Sequence, residues 1–278
     1  MILVIGAAGQ VGTALIALPD TVGLTRGDID LATTTETGVA ALIDTHAPEV
    51  AINAAAYTAV DRAEAEEDLA TRINGQAVGT LATVCAARHI RFVTYSTDYV
   101  FDGNGTRPYL ETDPVDPINA YGRSKLVGER AALAAGDNSL IIRTSWVISG
   151  THPNFVATML RLTGEGRQLN VIDDQHGRPT IAADLAAATV QAVQVGATGI
   201  LHLANHGETS WYELARRAVE LAGRDPDLIQ PCTTADYPTP AKRPGYSTLD
   251  TTQAETIGVA PLPDWRQSLP TVVGALVG

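Results

Sequence analysis

Apolar residues fall in short runs separated by segments of helical periodicity. The first run, MILVI at 1–5, stops at Gly6, and VGTALIAL at 11–18 resumes with an apolar residue every three or four positions. This predicts a strand, a glycine turn and a helix. TVGLT (21–25), PEVAINAAA (48–56), IRFVTYST (90–97) and SLIIRTSWV (139–147) read as further strands. Between them, TETGVAALIDTH (35–46) and ATRINGQAVGTLATVCAARH (70–89) carry helical spacing. Strands alternating with helices predict an α/β fold, a doubly wound parallel sheet covered on both faces.

After Trp146 the pattern changes. NFVATMLRLTGEG (154–166) reads as a helix, IDDQHGRPTIAADLAAATVQAVQ (172–194) as a turn then a helix, and GILHLAN (199–205) as a strand. Beyond Asn205, proline and threonine collect in CTTADYPTPAKRPGYST (232–248), and SWYELARRAVELAG (210–223) is a strongly amphipathic helix. The expected organisation is a main domain at 1–148, to which 178–204 returns, and a smaller C-terminal lobe at 149–177 and 205–278 that holds a substrate.

The composition narrows the possible partners. A formal charge of −12 and a pI near 4.8 exclude a phosphate-tracking nucleic-acid surface, which needs clustered Lys and Arg. Any anionic ligand must be met by local basic residues. Cys85 and Cys232 are the two cysteines, without a C-x-x-C pair, so neither a disulfide framework nor a zinc site is expected. Cys85 reads as core packing, and the six histidines show no metal spacing. The opening apolar run lacks a basic leader and no segment reaches membrane-spanning length, so a cytoplasmic protein is expected. DRAEAEEDLATR (61–72) reads as a solvated helix start with its acids near the N-terminus.

Three constellations carry chemistry. Gly6, Gly9 and Gly12 stand between the first strand and the first helix. Such glycines also mark tight turns, but in this context they suit the pyrophosphate of a dinucleotide, as in a Rossmann fold. Gln10 and Val11 within that turn share the expected cofactor contact. Arg26, at the end of the second strand, suits a 2′-phosphate and favours NADPH, with NADH as the alternative. An exposed loop arginine is the competing reading, and Asp28 and Asp30 beside it blur the preference. Asp30 and Leu31 are also placed against the cofactor. Thr97 emerges at the carboxyl edge of the sheet, as a strand-end cap or as a partner for a reacting carbonyl. Tyr121 and Lys125 are four residues apart, on one face of a helix, where a solvated surface pair competes with a catalytic one.

In combination these motifs resemble a known family. The glycine turn, NAAAYT (53–58), STDYVFDG (96–103), YGRSK (121–125) and RTSW (143–146), in this order, are similar to the extended short-chain dehydrogenase/reductases. More closely, and including DQHGRPT (174–180) and KRPGYSTLDT (242–251), they resemble the dTDP-4-dehydrorhamnose reductases. The resemblance implies reduction of a nucleotide-linked 4-keto sugar. Tyr121 would donate a proton to the C4 oxygen, Lys125 would stabilise the phenolate and hold the nicotinamide ribose, and Thr97 would orient the carbonyl.

By the same resemblance, Ala54, Ala55 and Ala56 pass close to the cofactor, and Tyr57, Thr58, Asp98 and Tyr99 line the sugar pocket. Trp146 offers a flat apolar face, unless it is core, and Arg243 a pyrophosphate contact, unless it is a surface residue. His176 lies in a substrate loop. Related 4,6-dehydratases carry an acid where this chain has Tyr99, which disfavours dehydration. Relatives that dimerise through magnesium carry an acid after the glycine turn, whereas GTALIAL has none. A monomer or a weak homodimer without a metal bridge is expected. Two other readings stay open: reduction or epimerisation of another nucleotide sugar, and a non-catalytic regulatory subunit like that of methionine adenosyltransferase.

Overall fold

The apolar runs lie side by side in one sheet. The structure, a computed structural model, describes residues 1–278. Its first half runs β1 (Ile2–Ile5), α1 (Gln10–Ile16), β2 (Thr21–Leu24), α2 (Glu36–His46), β3 (Val50–Asn53), α3 (Val60–Ala63) and α4 (Glu67–Thr71). It continues with α5 (Ala77–Ala86), β4 (Arg91–Thr97), α6 (Ala120–Ala135) and β5 (Ser139–Thr144). The second half contains β6 (Val147–Ile148), α7 (Phe155–Gly164), β7 (Leu169–Ile172), β8 (His176–Gly177), β9 (Thr180–Ile181) and α8 (Ala182–Gln194). It ends with β10 (Gly199–His202), β11 (Thr209–Ser210), α9 (Trp211–Leu221), β12 (Ile229–Cys232), α10 (Thr252–Thr256) and α11 (Trp265–Val277).

Six strands form a parallel sheet in the order β10-β5-β4-β3-β1-β2. Successive residues of a strand point to opposite faces, and both faces are covered. Leu3, Ile5, Phe92 and Ile141 pack into the layer of α2 and α5. Val4, Val93, Leu140 and Ile142 pack into the opposite layer, with Leu15 of α1 and Leu185 of α8. A third core, from Ile148 to Val273, gathers α7, α9 and α11 around Trp265. No helix is long and apolar enough to cross a membrane.

Four local expectations are corrected. The strand expected at 48–56 ends at Asn53, whose buried side chain bonds Thr94 and accepts from the Ala55 amide, turning the chain off the sheet. The strand expected at 139–147 is interrupted where Trp146 takes a left-handed conformation, φ 45°, leaving β5 and β6 as separate pieces. The helix expected at 70–89 starts at Glu67 and passes through a π-helical turn, Arg72–Gln76, before α5. The acidic segment 61–72 is not simply solvated. Glu64 accepts from the Ala120 amide at 2.8 Å, Glu67 pairs with Arg123 at 2.8 Å and Glu66 accepts from the Tyr57 hydroxyl at 2.6 Å. Glu64 and Glu67 tie α3 and α4 to the start of α6, and Glu66 holds Tyr57 against the same segment.

Candidate active site

A cleft of about 660 Å3 runs across the carboxyl ends of the central strands. One end is the glycine turn. Gly6 has φ +87°, and a Cβ there would lie 2.6 Å from the Ala55 amide nitrogen. A Cβ on Gly12 would lie 2.1 Å from the Gly6 carbonyl oxygen. Side chains at these two places would close the turn and push α1 off the sheet, so the bare backbone is a packing requirement. Gly6, Gly9, Gln10 and Val11 face the cleft, as do Ala54, Ala55 and Ala56. Gly12 does not line it; it lies within α1, buried against Gly6 and Ala7.

The side wall holds Arg26, Asp30 and Leu31. The Arg26 guanidinium is 81% exposed and pairs with Asp30 at 3.1 Å. Asp28 turns the other way, accepting from the amide and hydroxyl of Thr25. This wall of the cleft therefore presents an exposed cation beside a carboxylate.

The far end is built on α6. Its N-cap is Asn119, which accepts from the Gly122 amide at 2.8 Å and donates to the Lys242 carbonyl at 2.9 Å. Tyr121 and Lys125 follow on one face, and both line the cleft. The Lys125 ammonium donates to the Tyr95 carbonyl at 2.6 Å. Burial pushes its pKa down to about 8, with Glu129 acting against the shift. Burial, then the neighbouring Asp98, raises the Tyr121 phenol well above its usual value, opposed by a hydrogen bond with Thr97. Tyr121 is therefore a neutral phenol across the physiological range and can give up a proton to a developing oxyanion.

Thr97 ends β4, donating to Asp98 at 2.9 Å and accepting from the Tyr99 amide at 3.2 Å. Burial raises the Asp98 carboxyl to about 7, although hydrogen bonds from Ser247 and Thr97 lower it. The Tyr99 ring meets the Tyr121 ring edge-on at 6.1 Å. Tyr57 packs near Tyr121, and Thr58 lines the cleft.

Two expected ligand contacts have other partners. Trp146 stacks on Trp211, with ring centroids 3.7 Å apart, so one of its faces is already covered. Arg243 pairs with Asp61 at 3.0 Å and donates to the Ala241 carbonyl. His176 makes backbone bonds that fix the loop around Gly245 and Ser247. Ser96, Thr144, His152 and Pro153 line the cleft but were not singled out in the sequence. Ser96 and Thr144 stand at or next to the carboxyl ends of central strands, a signal that was available. His152 arrives on a loop that bonds the Ala8 carbonyl across 144 positions, which no local pattern records.

Comparison with known proteins agrees with this geometry. The family model described as the RmlD substrate binding domain matches residues 1–277. A dTDP-4-dehydrorhamnose reductase of Streptomyces griseus is 42% identical, over 99% of this chain and 94% of that protein. A dTDP-4-keto-6-deoxy-D-glucose reductase of Streptomyces niveus is 40% identical, over 96% of this chain and 94% of its own length. The crystal structure of the Bacillus anthracis dTDP-4-dehydrorhamnose reductase in complex with NADP superposes with a TM-score of 0.92. It is 32% identical and covers 98% of this chain and 97% of its own. The chain belongs to the family of the dTDP-4-dehydrorhamnose reductases.

Proposed function

We propose that the chain reduces the C4 ketone of dTDP-4-dehydro-L-rhamnose to give dTDP-L-rhamnose, with NADPH as donor and NADH as an alternative. The observation that carries this reading is one cleft with a glycine turn at one end and Tyr121 and Lys125 lining the other, where Thr97, just behind the wall, hydrogen-bonds Tyr121. The cofactor, when bound, supplies a hydride to C4. The glycine turn and Ala54–Ala56 leave room for its pyrophosphate and ribose, and Arg26 meets the 2′-phosphate. Thr97 holds the ketone oxygen. Tyr121 donates its proton to that oxygen, and Lys125 stabilises the phenolate left behind and holds the nicotinamide ribose. Tyr57, Thr58, Asp98 and Tyr99 surround the sugar. Trp146 and Arg243 shape the pocket through Trp211 and Asp61, with residues 149–177 and 205–278 forming the substrate lobe.

The reaction is cytoplasmic in this reading, and the protein is a monomer or a weak homodimer without a metal bridge. No acid stands in the first turn of α1. Light scattering should give one mass with and without EDTA, and a mass halved by EDTA would contradict it.

The S. niveus relative favours a second reading, reduction of dTDP-4-keto-6-deoxy-D-glucose. NADPH oxidation assayed against both sugars and their UDP counterparts separates the two. The first reading expects the highest kcat/KM with dTDP-4-dehydro-L-rhamnose. Turnover confined to the second sugar would replace it, and turnover with none would favour a regulatory subunit.

A further inference from the structure

Behind Lys125 lies a buried charge pair with no part in the chemistry above. Glu129, one turn beyond Lys125 on α6, and Arg143 of β5 are each 2% exposed. Arg143 donates to both carboxylate oxygens of Glu129, at 2.9 and 2.7 Å, and Ser96 donates to the same carboxylate at 2.5 Å. Burying such a pair seldom adds stability over well-packed apolar residues, because desolvation offsets the attraction. Its placement suggests another use. Tyr121, Lys125 and Glu129 recur every four residues and share one face of α6. That face meets three consecutive residues of β4: the Tyr95 carbonyl takes Lys125, the Ser96 hydroxyl takes Glu129, and Thr97 faces Tyr121.

We propose that Glu129 is a positioning residue, whose carboxylate keeps the buried Lys125 protonated and holds α6 in register with β4. Around Lys125 the titratable and charged groups are Tyr121 one turn earlier, Glu129 one turn later, Arg143 behind Glu129, and Asp98 just past the end of β4. Of these, Glu129 is the one that acts against the burial of the ammonium, whose pKa is about 8. Removing that carboxylate leaves Arg143 as an unbalanced positive neighbour, and both changes favour a neutral Lys125.

The inference rests on the reductase reading only in that Lys125 holds the cofactor ribose. Its test is the dissociation constant of NADPH, followed by fluorescence from about pH 7 upward. In the wild type, binding should weaken as pH rises through about 8, and Lys125→Met should abolish that dependence. Glu129→Gln should move the midpoint down by about one pH unit or more. Because Glu129→Gln strands a buried guanidinium and can unfold the chain, Glu129→Gln with Arg143→Met is the second variant, which should fold and keep the part of the lowering that comes from the lost carboxylate, without the part that came from Arg143. A folded double variant with the wild-type midpoint would overturn the proposal, as would a wild-type dependence that survives Lys125→Met. The titration contains no sugar, so an incorrect sugar assignment leaves its outcome unchanged. Absence of NADPH binding at every pH would overturn this proposal together with the cofactor reading.

Discussion

Arg26 stands in the wall of the cleft, and its energetics depend on a partner that the structure supplies. Its side chain is 81% exposed and its pairing with Asp30 is an i,i+4 surface pair, weak because water screens it. A charge-assisted hydrogen bond to a phosphate is worth about 1.5–3 kcal/mol, so a bound 2′-phosphate can take the side chain from Asp30. Arg26→Ala should therefore weaken NADPH by roughly tenfold to a hundredfold and leave NADH nearly unchanged, as measured by titration. Equal losses for both cofactors would remove Arg26 from the phosphate site. That Tyr121 and Lys125 share one face of α6 and reach one cleft was legible because helix geometry places i and i+4 together. The partners of Trp146 and Arg243, Trp211 and Asp61, were not legible, because they are remote in sequence.

At the scale of elements, the site depends on how closely α6 lies against the π-helical turn before α5. Asn74 in that turn donates to Ser124 of α6 and to the Tyr57 carbonyl, and accepts from the Tyr57 amide. This approach requires glycine. A Cβ on Gly128 would sit 2.1 Å from the Asn74 carbonyl oxygen, and one on Gly75 would sit 2.7 Å from Val127. Gly128→Ala should force α6 outward and cost about 1–3 kcal/mol, measured by urea denaturation. The same variant should lower kcat, since Tyr121 and Lys125 ride on the displaced helix. Unchanged stability and turnover would contradict the close-packing argument. Periodicity in 70–89 revealed a helix but not its π turn, because the turn answers to Gly128, on a helix remote in sequence.

For the whole molecule, the parallel sheet was the most legible feature. Its strands, apart from the edge strand β2, are largely buried on both faces and so appear as mostly apolar runs, and the helices between them keep a clear period. The C-terminal lobe was harder to read. β8, β9 and β11 have two residues each, too few to show alternation, and are held by pairings such as His176 with Ser210. What unites both halves is a cleft ending at a half-buried, neutral Tyr121. The most direct test compares kcat and the dissociation constants of NADPH and nucleotide sugar for the wild type and Tyr121→Phe. A single hydroxyl is lost while the ring remains, so both dissociation constants should change little and kcat should fall by about 10²–10⁴-fold. A Tyr121→Phe protein with near-normal turnover would contradict the assignment of Tyr121 as proton donor.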